Sequence, residues 1–95
     1  MTQGGLHLLL FVAANSPDSA IAIANLNALF PKDQRSGVHI EIIDVERDPA
    51  RAHREGVMVT PTLIKVSPRP TCRILGNLKN GTALLQLLAV SRSAS

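Results

Sequence analysis

The first hydrophobic segment of the chain is almost uninterrupted. Leu6 to Ala13 reads Leu-His-Leu-Leu-Leu-Phe-Val-Ala, so only one of its side chains is polar. A strand covered on both faces needs apolar residues in both alternating sets, whereas a strand with one wet face would alternate. This segment is therefore predicted to be a buried strand of a parallel sheet.

A helix is predicted directly after this strand. Ser16 is a good N-cap residue, Pro17 suits the first helical position, and Asp18 complements the positive end of a helix. Apolar residues then recur every three or four positions from Ala20 to Phe30, and Pro31 ends the pattern. The apolar face consists of Ala22, Leu26, Leu29 and Phe30, with Ile23 beside it.

The second hydrophobic segment alternates. Val38 to Val45 places one apolar set on one face and a mixed set on the other, which predicts a strand with a less protected face. The first set is Val38, Ile40 and Ile42, and the second is His39, Glu41 and Ile43. Asp48 and Pro49 then begin a short polar helix, and Gly56 is placed to end it.

Residues 57–75 predict a hairpin. Thr60-Pro61 opening an apolar strand is typical of thioredoxin-like domains, in which this proline is often cis and faces the active-site loop. The strand is expected to begin after Pro61. Ser67 to Thr71 is a proline-rich turn, and Cys72 to Leu75 forms the returning strand.

The C-terminal segment completes the predicted order. Gly76 to Gly81 is a turn-rich connector. The pattern of Thr82 to Val90 favours an apolar helix, although Leu84 to Leu88 could also form a strand. Ser91 to Ser95 is expected to be disordered. The order is β-α-β-α-β-β-α, with the first two strands parallel and the hairpin antiparallel. The fold class is α/β, a single thioredoxin-like domain over 1–95 with an ordered core of about 6–90.

The composition excludes several classes of protein. Of 95 residues, 45% are apolar and only Phe11 and Phe30 are aromatic, so the core must be built from aliphatic side chains. The net charge of +3 is dispersed and stacking platforms are few, which argues against nucleic-acid binding. The apolar segment 6–14 is too short to cross a bilayer, so no membrane association is expected. The single Cys72 favours a reducing, cytoplasmic location, and a buried apolar role for this thiol.

The start of the first helix lacks redox chemistry. Thioredoxins carry Cys-x-x-Cys at this position, which here reads Ser16-Pro17-Asp18-Ser19. Hydroxyls neither form disulfides nor ionise at neutral pH, so disulfide exchange at this site is excluded. Helix capping accounts for Ser16. No catalytic or cofactor-binding residue and no cofactor is predicted, since the sequence shows no phosphate-binding glycine loop, carboxylate pair or nucleophile elbow.

The other polar residues that could carry chemistry are interpreted as structural. His7, His39 and His53 are far apart in sequence without ligand-like spacing, so they are interpreted as packed or solvated imidazoles and no metal site is predicted. Asp44 ends the second strand near the carboxyl edge of the sheet, where a ligand could bind, but capping of the following loop is the favoured role.

A set of segments at fixed spacing resembles the KaiB family of circadian-clock proteins. Thr-Pro-Thr-Leu by itself is a weak signal, whereas the whole set covers about residues 6–90 and is fairly specific. The segments are Leu8-Leu-Leu-Phe-Val-Ala-Ala-Asn-Ser-Pro-Asp-Ser19, Ile42-Ile-Asp-Val45, Asp48-Pro49, Thr60-Pro-Thr-Leu63, Lys65, Pro68, Pro70 and Ile74-Leu-Gly-Asn-Leu78.

The resemblance implies a non-enzymatic regulatory adaptor. Proteins of this kind bind the KaiC ATPase ring and help to time its phosphorylation cycle, partly by sequestering KaiA where that protein exists. It also implies a metamorphic fold, in which a thioredoxin-like form binds KaiC and a ground state of order β-α-β-β-α-α-β assembles into dimers or tetramers. The alternatives are an interaction module for a histidine kinase supplied in trans and, less favoured, a redox enzyme without the usual cysteines.

The resemblance also suggests binding and switching residues. Arg47 and Lys65 match the family's binding surfaces, and Arg69 and Arg73 are added because they place basic charge beside the hairpin. Such charges would steer the chain toward an acidic ATPase surface. The predicted structural switch consists of Thr60, Pro61, Pro68, Pro70 and Gly76, which flank the segments whose secondary structure is most ambiguous.

Overall fold

The computed structural model describes residues 5–34, 37–79 and 81. They contain four strands and two helices in the order β-α-β-α-β-β, which agrees with the first six elements of the predicted order β-α-β-α-β-β-α. The elements are β1 (Leu6–Val12), α1 (Pro17–Leu29), a 3-10 turn (Lys32–Gln34), β2 (Val38–Asp44), α2 (Pro49–Arg54), β3 (Thr62–Ser67) and β4 (Cys72–Leu75). None of the helices in this part of the chain is long and apolar enough to cross a membrane.

The strands form one sheet in the order β2-β1-β3-β4. β1 and β2 are parallel, as the helical crossover between them requires, and Leu6 pairs with Val38. β3 is antiparallel to both β1 and β4. The continuous apolar run of β1 follows from its central position, since it has a strand on each side and a helix against each face.

Two apolar layers cover the two faces of the sheet. Alternate residues of β1 (Leu6, Leu8, Leu10 and Val12) pack with Ala22 and Leu26 of α1. The other set, Leu9 and Phe11, packs with Ile43, Ile64 and Ala52 of α2. Because α2 has only six residues, it covers a smaller part of its face than the 13-residue α1 covers on the other.

The predicted helix ends are confirmed in detail. The Oγ of Ser16 accepts a hydrogen bond from the backbone N–H of Ser19, and Asp48 caps α2 in the same manner through the N–H of Arg51. Gly56 has a φ of +70°, the left-handed conformation that commonly follows a helix and that glycine adopts without steric cost.

The hairpin is also confirmed, with β3 starting at Thr62, directly after the cis Thr60–Pro61 peptide. Beyond it, Leu78 inserts into the α1-side core at 6% exposure, with a φ of +64° that is unusual for a residue with a branched side chain. The predicted helix 82–90 and the predicted disordered segment 91–95 lie outside the described residues.

Candidate partner-binding surface

The start of α1 holds two hydroxyls where a redox site would need two sulfurs. The Oγ of Ser16 accepts from the N–H of Ser19 at 3.2 Å, and the Oγ of Ser19 accepts from the N–H of Ala13 at 3.0 Å. Ser19 is only 2% exposed. Both hydroxyls therefore hold the turn between β1 and α1, and neither is placed as an activated nucleophile.

The loop before β3 is tied to the far end of β4. The hydroxyl of Thr62 donates to the carbonyl oxygen of Val59 at 2.7 Å. The N–H of Gly76 donates to the carbonyl oxygen of Pro61 at 3.0 Å, and Thr62 pairs with Leu75 across the hairpin. These contacts bring residues 58–61 and 75–76 to the same end of the sheet.

This end exposes three large apolar side chains. Met58, Val59 and Leu75 are 91%, 52% and 65% exposed, respectively, and we call these three residues the hairpin patch. Exposed apolar residues that share one region of a surface are typical of a docking site. This patch was not predicted, because Val57 to Val59 was given no role of its own ahead of the strand that starts after Pro61. The patch could have been recognised from the apolar run before Pro61, because that run precedes the strand and cannot join the sheet.

The predicted partner-binding arginines do not form one cluster. Arg73 is exposed on β4, on the same sheet face as α2 and Leu75, and its guanidinium donates to the carbonyl oxygen of Glu55. Arg47 follows β2, which is the edge strand opposite β4, and these two strands are separated by three strand spacings, about 14 Å. Arg69 is exposed in the β3–β4 turn. Only Arg73 adjoins the hairpin patch.

Lys65 differs from the other three basic residues. It is 1% exposed, and its ammonium donates to the carbonyl oxygen of Pro68 within the hairpin turn. In this conformation the charge of Lys65 supports the turn and is not presented to a partner. Its assignment as a partner-binding residue remains a prediction.

The predicted switch residues lie at the two ends of the hairpin. Thr60 and Pro61 immediately precede β3, and Gly76, with a φ of +101°, immediately follows β4. Pro68 and Pro70 lie in the turn between the strands, and the peptide bonds before both are cis. Their switching role stays a prediction.

A groove of about 540 Å³ lies at the carboxyl end of β2. In it, Arg51 of α2 donates from Nη1 to Oε2 of Glu41 at 2.9 Å and from Nη2 to Oε1 at 3.0 Å. These hydrogen bonds lower the pKa of Glu41 and raise that of Arg51. Asp44 accepts from the N–H of Glu46 at 2.8 Å, so its predicted loop-capping role is confirmed.

Two of the three histidines are neighbours in the sheet. His7 of β1 and His39 of β2 are register partners, and their ring centroids lie 4.7 Å apart. Their separation in sequence did not indicate this contact, because the parallel pairing of β1 with β2 brings the two positions together. Cys72 is half-buried and reduced, so its predicted burial is only partial.

Comparison with known proteins identifies the family. The model of the KaiB domain matches residues 9–90. The circadian clock protein KaiB3 of Synechocystis sp. is 41% identical over 85 residues, which cover 90% of this chain and 83% of that protein. The circadian clock oscillator protein KaiB of Thermostichus vulcanus is 38% identical over 78 residues, or 82% of this chain and 72% of the relative.

The chain belongs to the KaiB family. Because its KaiB relatives are clock proteins, the chain is a clock regulatory protein and not an enzyme.

Solved structures show the fold of this KaiB-family chain. A thioredoxin from Fasciola hepatica superposes with a TM-score of 0.76 at 20% identity, covering 94% of this chain and 83% of its own. The germline thioredoxin Deadhead of Drosophila melanogaster gives 0.74 at 18% identity, covering 92% and 81%. At this identity the likeness extends to the fold alone, so the α/β thioredoxin-like class is confirmed and no redox activity follows from it.

Proposed function

We propose that this chain binds a KaiC-like ATPase and modulates its phosphorylation and ATPase cycle without catalysing a reaction itself. The observation that carries the proposal is the match to the KaiB domain over residues 9–90. The contacts of Ser16 and Ser19 support it. Both hydroxyls accept backbone hydrogen bonds at the positions where a thioredoxin has its reactive sulfurs.

The hairpin patch is the proposed centre of the contact with the ATPase. Leu75 and Arg73 lie two residues apart on one strand and so face the same side of the sheet. An exposed apolar centre beside an arginine matches the usual composition of interface hot spots. Met58, at 91% exposure, can add apolar area to the contact without any repacking of the core.

The remaining basic residues take different roles in the proposal. Arg47 and Arg69 are exposed and distant from the patch, so they contribute to the rate of encounter with an acidic surface more than to the lifetime of the complex. Lys65 acts indirectly, by holding the hairpin turn through Pro68.

Fold switching is proposed for the same segment. The described conformation corresponds to the thioredoxin-like, binding-competent form, and the alternative order β-α-β-β-α-α-β would belong to a dimer or tetramer. Leu78 supports a joint at the end of β4, because its left-handed backbone conformation costs about 1–2 kcal/mol, which burial of its side chain offsets here. Two packings that differ by a few kcal/mol are within reach of such a segment.

Co-elution with a KaiC-type ATPase ring over several hours tests the proposal. Leu75→Ser and Met58→Ser should weaken binding by about tenfold each, since each removes an exposed apolar anchor. The matched control is Ile42→Ser, which removes a 44% exposed apolar side chain on the opposite edge strand. If both patch variants bind the ring as tightly as the wild-type chain does, the proposed surface is refuted.

Charge variants and a second partner complete the design. Arg73→Glu should weaken the complex, whereas Arg54→Glu, an equal charge change at an exposed position of α2, should leave it unchanged. A clock-output histidine kinase is tested in parallel. Binding to the kinase without binding to the ATPase would overturn the proposed partner.

A further inference from the structure

The sheet places three metal-ligand side chains together on the face that α2 covers. His7 and His39 are direct partners in the parallel β1–β2 register, and Glu41 lies two residues beyond His39 on the same face. One ligand atom from each of the three side chains can be chosen so that all lie within 4.8 Å of one another. The residues come from two strands that pair along their whole length, so the backbone holds them in fixed register.

One ring nitrogen of His7 has no hydrogen-bonding role in the part of the chain that the structure describes. The Nε2 atom of His7 is buried and has no hydrogen-bond partner there. Buried polar atoms are nearly always paired, so an orphaned imidazole nitrogen beside two further ligand groups needs an explanation. A bound cation would supply it.

We propose that His7, His39 and Glu41 form a binding site for a divalent transition-metal ion of the zinc class. Two imidazoles and one carboxylate are a donor set that zinc accepts, and three protein ligands leave one position for water or for a donor from another molecule. Tetrahedral zinc with bonds of about 2.0–2.2 Å needs its ligand atoms about 3.3 Å apart. Rotation of the side chains must therefore close the present triangle by about 1.5 Å, starting from the 4.8 Å limit.

Arg51 sets the strength of this site. Its guanidinium holds both carboxylate oxygens of Glu41, so the metal must compete with a bidentate ion pair. Arg51 therefore weakens metal binding by competition and by charge repulsion, and its removal should strengthen it.

Access to the site follows from the shortness of α2. His39 is exposed and Glu41 is half-buried, so an ion can approach from solvent through these two ligands, and rotation of the side chains must bring it to the buried Nε2 of His7. His53 lies on α2 and is exposed, and it is not part of the cluster. It provides a control histidine with the same chemistry in the same molecule.

Isothermal titration of the tag-free chain with Zn²⁺ tests the proposal, in a Cys72→Ser background that removes the thiol as a competing ligand. One equivalent should bind, and His39→Gln and Glu41→Gln should each weaken the affinity by about 100-fold. His53→Gln should bind as the parent does. Arg51→Gln should bind about threefold more tightly or better, because Glu41 is released.

NMR and thermal unfolding give readouts that do not depend on the titration. Zn²⁺ should shift the ring resonances of His7 and His39 and leave those of His53 in place. It should also raise the unfolding temperature of the parent but not of His39→Gln, since only the folded chain brings the ligands together. His39 is exposed, so its variant is expected to fold even if a variant at His7 does not.

Three results would overturn the site. The first is the absence of saturable Zn²⁺ binding by the parent. The second is unchanged affinity in His39→Gln and Glu41→Gln, or an equal loss in His53→Gln, either of which would place the metal elsewhere. The third is weaker binding by Arg51→Gln, which would refute the competition between Arg51 and the metal for Glu41.

Discussion

Replacement of Ser19 by alanine should destabilise the fold more than replacement of Ser16. The side chain of Ser19 is 2% exposed, and its Oγ is the acceptor for the N–H of Ala13 at 3.0 Å. In Ser19→Ala that donor loses its partner inside the protein, whereas the lost hydroxyl leaves almost no cavity. The effect should therefore come from the unsatisfied N–H.

The size of the effect follows from this contact. An unsatisfied, desolvated backbone donor costs about 1–3 kcal/mol, so a loss of about 2 kcal/mol in the free energy of unfolding is expected for Ser19→Ala. For a domain of this size, 1 kcal/mol shifts the unfolding midpoint by about 4–8 °C, so the midpoint should fall by about 8–16 °C. Ser16→Ala removes an N-cap that water can partly replace, and a loss of about 1 kcal/mol is expected.

Urea unfolding followed by circular dichroism measures both variants by linear extrapolation. Ala24→Ser, at an exposed position in the same helix, serves as the control and should stay within about 0.5 kcal/mol of the parent. A loss below about 0.5 kcal/mol in Ser19→Ala would refute the structural role assigned to its hydroxyl. So would a larger loss in Ser16→Ala than in Ser19→Ala.

Three further predictions concern redox chemistry, the core and the hairpin end. The double variant Ser16→Cys/Ser19→Cys should form a disulfide under oxidising conditions and reduce insulin in the presence of dithiothreitol, because its two thiols would lie at a helix N-terminus. If this variant folds and is oxidised but does not reduce insulin, then the site lacks more than the two sulfurs. Leu26→Ala should destabilise by about 2–5 kcal/mol in urea unfolding, since Leu26 is fully buried between α1 and the sheet, and a loss below about 1 kcal/mol would contradict that packing. Gly76→Ala should cost about 1–3 kcal/mol, because φ at this position is +101°; an unchanged midpoint would show that the end of β4 adopts another conformation in solution.

Local sequence patterns predicted an element well where the residues that decide its structure lie within the same segment. β1 was recognisable from its apolar run, and α1 from the Ser16-Pro17 start and the Pro31 stop. The hairpin followed from prolines that cannot lie in a central strand. In each case the deciding residues are within a few positions of the element that they define.

The parallel pairing of β1 with β2 was predicted, but its register and the side-chain contacts that depend on it were not. The contact of His7 with His39 needs the exact β1–β2 register, and a shift of one residue would place the two rings on opposite faces. Burial of Lys65 was also unexpected, since lysine is rarely buried unless its charge has a partner, and here the partner is a carbonyl group of the following turn.

The hairpin patch was not predicted for a third reason. Val57 to Val59 has the composition of a strand, yet these residues stay outside the sheet because β3 begins only at Thr62. Composition could not distinguish apolar residues that fill a core from apolar residues that a protein exposes for a partner. The distinction depends on where the preceding helix ends, at Arg54, and on how the chain returns to the sheet.

The most direct test of the account is the activity of a KaiC-type ATPase ring in the presence of this chain. ATP hydrolysis and phosphorylation of the ring are followed over hours with equimolar wild type, with Leu75→Ser and with Ile42→Ser. Wild type and Ile42→Ser are expected to change both time courses alike, whereas Leu75→Ser should change them little at the same concentration. If both time courses are identical with and without the folded wild-type chain, the proposal that this chain regulates a KaiC-type ATPase is contradicted.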